Sequence, residues 1–421
     1  MTTSEMHLPA PAAPSGPDPS AGPTTVPDPL PTGTRLVHIG PSKTGTTSLQ
    51  AAMWAARDAM RAQGVHYAGG ARHSSSAARA GAQIRGVYDE DGTPPPDWLW
   101  KGILREIRGA REDRVVLSSE FLAHAREDAI RGMIADLERE RTHVVITLRP
   151  IARMLSSLWQ QRVQTGSPKT FTAWLEANLG RDGDLPDQSV WHHHRHEQLV
   201  ERWAGLVGRE RVSVVVVDSA DHAWLLRAFE GLLALRSGTL QLQDDFANRS
   251  LTLGEARAIR VLNHRLRKSG LGRTDVHHIV HNGAARYVKL RKPLPGEARI
   301  RLPEWAGERA ARLAEAVTEG IAASGVRVIG DLASLRSMPE LVPQEDPDDG
   351  LVPAEIAASM AIGVAFVGGM MRNSTLIAEH ERLGESYQLD YLGSRDLVRV
   401  QVDRIRRRGL RVIRQQLGIR G

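Results

Sequence analysis

The chain has no cysteine, which excludes disulfides and every metal site that depends on thiolate ligands. Aromatic residues are scarce, 5% of 421, and nine of them are tryptophan. None forms a motif of the kind that stacks RNA bases. No apolar run reaches the roughly 20 residues that a membrane-spanning helix needs. The longest, Ala357–Met371, is short and Gly-rich. Neither sign of charge dominates: 55 Lys and Arg stand against 49 Asp and Glu, a formal net charge of +6. That balance suits an anionic ligand and does not call for nucleic acid. Residues 1–33 lack the basic start and apolar centre of a signal peptide and read instead as a disordered tail rich in Pro, Ala, Ser and Thr. With neither leader nor span recognised, and a cysteine-free composition compatible with a reducing compartment, a cytoplasmic location is expected.

What is present is enough apolar residue, 41%, for a sizeable core. Short buried runs alternate with helical stretches, which predicts an α/β fold, a mainly parallel sheet flanked by helices, with a mostly helical C-terminal part. Strands are expected at Leu36–Ile39, Arg114–Ser119, Thr142–Leu148 and Arg211–Val217, with a short one at Val65–Tyr67. Residues Ala68–Asp97, rich in Gly, Ser and Pro, read as a long surface excursion over the site. Leu253–Leu266 and Pro303–Ser324 read as helices. The domain reading is a tail (1–33), an α/β domain (34–335), a linker (336–353) and a helical extension (354–421).

The most informative stretch is Arg35–Gln50. An apolar strand enters a turn built on Gly40, Pro41 and Gly45, and a helix follows. The turn carries Lys43 and the hydroxyls of Ser42, Thr44, Thr46, Thr47 and Ser48. The free N–H groups of a first helical turn, with the helix dipole behind them, make an anion site. The strict nucleoside-triphosphatase order, Gly-x-x-x-x-Gly-Lys-Ser/Thr, is absent. Here the lysine precedes the second glycine.

Two further strand ends carry chemistry. Arg149 follows Val144–Leu148, and Ser157 comes eight residues later in a helix, so guanidinium and hydroxyl can converge on one phosphate. Ser156 is an alternative hydroxyl. Glu120 lies just past the end of the Val115–Leu117 strand, at the rim where parallel sheets bind ligands. His124 is one turn further on.

These residues together resemble the bacterial, actinobacterial-type sulfotransferases that use 3′-phosphoadenosine 5′-phosphosulfate (PAPS). The order Pro41-Ser-Lys-Thr-Gly-Thr-Thr47 is similar to their 5′-phosphosulfate loop. The pair Arg149 and Ser157 is similar to their 3′-phosphate site, although the family usually has its proline two places after the arginine and Pro150 follows at once here. The resemblance covers about Arg35–Asp218. It thins beyond, where Ala247–Thr252 and Val328–Leu332 are similar to recurring pieces without assigned chemistry. It implies that Lys43 stabilises the leaving phosphate and that the Thr44–Thr47 amides, across Gly45, hold the 5′-phosphate with the Thr46 and Thr47 hydroxyls. Ser42 and Ser48 would assist. Glu120, with His124 in reserve, would take the acceptor's proton. PAPS is the implied co-substrate, no metal is required, and the acceptor is a small molecule or carbohydrate.

Other features read more plainly. His192 and His196 stand at i and i+4 without a third ligand, and His277, His278 and His281 read likewise as helix surface or as contacts to an anionic acceptor. Arg286–Lys292 is a basic stretch, of which Arg286 and Lys289 could close over a nucleotide. Leu397–Leu417 could pack on the core, mediate a homodimer or lie on an anionic surface. A P-loop small-molecule kinase using ATP–Mg²⁺, with Asp218 as metal ligand, and a non-catalytic nucleotide-binding protein are the competing readings.

Overall fold

The computed structural model describes residues 26–70, 75–83, 95–180, 195–218, 220–243, 249–343 and 352–372. Eight strands run through them: β1 (Arg35–Ile39), β2 (Val65–Tyr67), β3 (Arg114–Ser118), β4 (Thr142–Leu148), β5 (Val212–Val216), β6 (Leu302–Pro303), β7 (Arg327–Ile329) and β8 (Leu341–Val342). Six form one sheet in the order β2-β3-β1-β4-β5-β7, and every neighbouring pair is parallel. All of these strands but the edge strand β7 are buried on both faces, as an all-parallel sheet requires. Alternate side chains enter opposite cores. Val37, Ile39, Leu117, Val144 and Ile146 join the larger apolar cluster. Leu36, Val116, Val145 and Val215 join the other, with Met53, Trp224 and Phe229. This period of two is the pleat itself.

Helices cover both faces. From the loop after β1 come α1 (Thr46–Ala55) and α2 (Arg57–Arg61), broken at Ala56. The stretch expected as an irregular excursion over 68–97 contains a helix, α3 (Ser75–Gly81). It packs so tightly on α4 (Asp97–Gly109) that a Cβ on Gly81 would sit 2.6 Å from the Trp100 ring. At Gly81 a side chain would not fit, and the small-residue composition of α3 is what made it read as loop. After β3 come a 3₁₀ turn, Glu120–His124, and α5 (Glu127–Asp136). After β4 comes α6 (Ile151–Gln164). Between α3, α4 and α5 lies a groove of about 930 Å³ lined by Trp98, Lys101 and Arg105. None of its lining residues belongs to the loop after β1.

Two boundaries move, and one unassigned stretch gains a place. The tail does not extend to residue 33: Leu30 is buried, donates its N–H to the Leu232 carbonyl at 2.9 Å, and accepts from Arg114 Nε at 2.8 Å. Inside the stretch read as a linker, Leu341 and Val342 pair with β6, and Gly307 gives the Leu341 side chain room. Val328–Leu332, for which no chemistry was assigned, supplies the edge strand β7, whose three residues are too few to show an alternating pattern.

The visible part of Ala247–Thr252 is a clamp. Arg249 forks onto Glu255, 2.8 Å on each branch, and donates to the Lys289 carbonyl at 3.0 Å. Leu251 N–H donates to Gln160 Oε1 of α6 at 2.7 Å. Thr252 and Glu255 form the capping box that starts the helix Leu253–Lys268. So α6, which carries Ser157, is fastened from the C-terminal half. The helix Ala354–Arg372 docks on a π-helical stretch, His278–Ala285, at a glycine crossing: a Cβ on Gly363 would lie 2.5 Å from the Gly283 carbonyl oxygen. Leu397–Leu417 lies outside the described residues, in which no helix is long and apolar enough to cross a membrane.

Candidate functional site

β1 is the central reversal point of the sheet: β3 and β2 lie on one side of it, β4, β5 and β7 on the other. Because all neighbours are parallel, the loops after β1, β3 and β4 leave from the same edge. Crevices form at such reversal points, outside the carboxyl ends of the strands. The register places Ser118 of β3 beside His38, and Ile146 of β4 beside Ile39. Three adjacent strands therefore deliver Lys43, Glu120 and Arg149 to one place.

The loop after β1 has unusual backbone. Lys43 has φ 73° and Gly45 φ 89°. Gly45 is the residue that opens α1. No acidic residue stands in the first turn of that helix and no side chain caps it, so its leading amides and dipole face the loop. A non-glycine residue in the left-handed region costs on the order of 1 kcal/mol, and such strain concentrates where function needs it.

Two hydroxyls in the loop have structural partners. Thr44 is fully buried and donates its hydroxyl to the Pro41 carbonyl at 2.8 Å. Its amide points to the same oxygen at 3.3 Å. The Thr46 hydroxyl donates to the Gly40 carbonyl at 3.3 Å. The roles that the resemblance implies for the Thr44 amide and the Thr46 hydroxyl are thus occupied by bonds inside the loop. Thr47 and Ser48 are exposed at the start of α1, and Ser42 and Lys43 are half-buried.

The three charged groups feel one another. Burial pushes the Lys43 ammonium below its ordinary pKa; Glu120 opposes that shift and Arg149 adds to it. Burial pushes the half-buried Glu120 carboxyl up, with Lys43 opposing. Burial, then Arg153, pushes Arg149 down. A carboxyl held partly towards its neutral form beside a cation is the arrangement of a site poised for proton transfer. Arg149 is half-buried, and its Nε is buried without a hydrogen-bond partner among the described residues. Its neighbour Arg153 is committed elsewhere, to Ser337 Oγ at 3.3 Å and the Met338 carbonyl at 3.2 Å.

The other expected residues lie further out. His124 ends the 3₁₀ turn and is exposed. Ser156 and Ser157 are half-exposed on α6, and Ser157 is about 9 Å along the axis from the helix's first residue at 1.5 Å per residue. Asp218, one residue past Val217, accepts the Ala220 amide at 2.7 Å in a turn after β5, two strands from β1. Among the described residues no group of three or more histidines or carboxylates is arranged to hold a metal.

The histidines need correction. His196 is buried, not on a helix surface, and burial brings its pKa down to about 4; His192 lies outside the described residues. His277 is also buried and stacks on His281, ring centroids 4.9 Å apart. Burial, then His281 and His278, lowers its pKa to about 4. His196 and His277 thus fill core space, whereas His281 is exposed, as the surface reading expects.

Sequence reasoning missed the layer beneath the loop: His38, Ser118, Thr147 and Gln50, all buried. The signal was there, since His38, Ser118 and Thr147 each interrupt an apolar strand close to its carboxyl end.

No protein-family model and no curated protein matches the chain. Among solved structures it is similar to the signal recognition particle 54 kDa protein of Aeropyrum pernix in complex with GDP, at 13% identity over 72% of this chain, with a TM-score of 0.23. The chain spans 60% of that protein's length. So distant a likeness says nothing about activity here. The fold described above, an α/β P-loop-type sheet with a glycine turn between its central strand and a helix, stands on the strand order itself.

Proposed function

We propose that this protein is a sulfotransferase that moves a sulfuryl group from PAPS to a hydroxyl or amine of a small-molecule or carbohydrate acceptor. The observation that carries the reading is Arg149: a guanidinium beside Lys43, with a buried Nε that has no hydrogen-bond partner among the described residues. A partly desolvated arginine with one unsatisfied nitrogen, next to a lysine and an uncapped helix N-terminus, suits a ligand with two separated anionic groups. Adenosine 3′,5′-bisphosphate, the product that PAPS leaves behind, is such a ligand.

The chemistry is one in-line step. The acceptor oxygen or nitrogen attacks sulfur, and the bond between sulfur and the 5′-phosphate oxygen breaks. The acceptor's proton passes to Glu120, and adenosine 3′,5′-bisphosphate leaves. Lys43 and the first amides of α1 neutralise the charge that grows on the departing phosphate. Calorimetric titration with adenosine 3′,5′-bisphosphate, adenosine 5′-phosphate and ATP–Mg²⁺ tests the reading. The bisphosphate should bind much the tightest. Arg149→Ala should weaken it roughly 10- to 100-fold and leave adenosine 5′-phosphate nearly unchanged. A preference for ATP–Mg²⁺ would overturn the reading in favour of a kinase. Equal losses for both adenosine ligands would remove Arg149 from the 3′-phosphate.

A pH dependence follows from Glu120. As the base it must be ionised, and burial raises its pKa. Transfer should therefore rise with pH through a midpoint above the ordinary carboxylate value. The stability sign is opposite: a carboxyl whose folded pKa is raised binds more protons folded than unfolded, so the fold loses stability as pH rises between the two values. Glu120→Gln should abolish the rising limb of kcat/KM and raise Tm at pH 7. A Tm below that of the unaltered protein would contradict a destabilising buried carboxylate.

A further inference from the structure

Five polar side chains form one hydrogen-bonded chain beneath the anion loop, and its direction can be worked out. The Thr44 hydroxyl donates to the Pro41 carbonyl, 2.8 Å. It has one proton, so in its 3.1 Å contact with Thr147 it must accept. Thr147 therefore spends its own proton on Thr44, and in its 3.1 Å contact with His38 Nε2 it accepts in turn. That puts the ring proton on Nε2. Nδ1 is then an acceptor, and Ser118 Oγ donates to it at 2.7 Å. Gln50 Nε2 completes the chain by donating to Ser118 Oγ at 3.1 Å. Every proton runs one way, from α1 through β3, β1 and β4 back to the loop. Chains with aligned donors reinforce each other in a low dielectric.

The ring suits this role. His38 is wholly buried, and Phe229 meets it edge-on with centroids 5.0 Å apart. Burial brings its pKa down to about 3, so the neutral tautomer that the chain needs is the one present. A protonated ring would put a second donor against Ser118 and break the run.

We propose that His38 is a positioning residue, which holds the anion loop in its binding shape through Thr147 and Thr44 and ties it to the end of β3 that carries Glu120. It touches no ligand. The inference rests on the loop binding a phosphate group, and not on which nucleotide supplies it.

Two replacements separate the branches of the ring. In His38→Gln the amide N–H₂ reaches the place of Nε2 and can still donate to Thr147. In His38→Asn the shorter amide reaches only Ser118. Each loses one bond, so a merely structural histidine would respond alike to both. Calorimetric affinity for adenosine 3′,5′-bisphosphate, with Tm as the folding control, is expected to stay within about threefold for His38→Gln and to fall roughly tenfold for His38→Asn. Thr147→Val keeps the shape and removes both hydroxyl bonds, and should match His38→Asn. Thr44→Val should do the same, and the double variant should lose no more than the worse single one, because both cut the same chain.

Equal affinities for the Asn and Gln variants would overturn the proposal. So would a folded Thr147→Val protein that binds as tightly as the unaltered one. If the histidine variants do not fold, the two threonine variants decide. If the unaltered protein ignores the bisphosphate, the PAPS reading falls separately, and the comparison is read with inorganic pyrophosphate. Binding of neither anion would overturn both.

Discussion

Lys43→Ala is expected to lower sulfuryl transfer about 10²- to 10³-fold, the range seen when one preorganised donor to a developing negative charge is removed. The loss should fall on kcat, with the affinity for adenosine 3′,5′-bisphosphate reduced less, because the amides of α1 and Arg149 remain. The backbone makes this a sharp test. Lys43 sits at φ 73°, a region that alanine tolerates no better than lysine, so Lys43→Ala should leave Tm almost unchanged. Lys43→Gly should relieve the strain and stabilise the fold by about 1 kcal/mol while losing transfer to the same extent as Lys43→Ala. That outcome would separate the ammonium's contribution to transfer from any contribution to the fold. Near-normal turnover in either variant, measured with labelled PAPS once an acceptor is found, would take Lys43 out of the mechanism.

The second large effect belongs to Gly40. A Cβ there would overlap Thr46 Oγ1 and come within 2.8 Å of Thr147 Oγ1 and 3.1 Å of Thr44 Oγ1. Three hydroxyls surround this one hydrogen atom, and two of them belong to the chain that runs to His38. Gly40→Ala must push the loop away from β4. Overpacking of this kind costs about 1–3 kcal/mol. The functional loss should be greater than that figure suggests, because the displaced groups are those that shape the anion site. Bisphosphate binding should fall below detection in protein that is still folded. Adding Thr46→Ala removes the worst overlap and should recover part of the stability. If Gly40→Ala binds normally, the packing of the three hydroxyls does not set the loop's shape.

Local features were legible where the chemistry is local. The order of glycine, lysine and hydroxyls in residues 40–48 marks an anion loop because a turn followed by a helix start needs no distant partner. Glu120 and Arg149 could be placed at strand ends because a buried parallel strand is a run of β-branched residues with a recognisable end. The helix α3 was not legible, since its small residues answer to Trp100, a neighbour that only packing supplies. The histidines at 196 and 277 were misjudged for a related reason. A polar ring near a charged stretch reads as surface until the packing around it is seen.

The sequence by itself determined the parallel sheet, the glycine turn after its first strand, and which three strand ends carry charge. These follow from hydrophobic period, turn chemistry and chain order, all of which act over a few residues. Only the tertiary structure decided which groups in the loop are free. The Thr44 and Thr46 hydroxyls were available on paper, and in the fold they are bonded to Pro41, Thr147 and Gly40. It also decided that His38 is buried between Ser118 and Thr147, where burial lowers its pKa. Those outcomes depend on contacts 80, 103 and 109 residues apart in the chain, and on burial deep enough to make an unpaired polar atom costly.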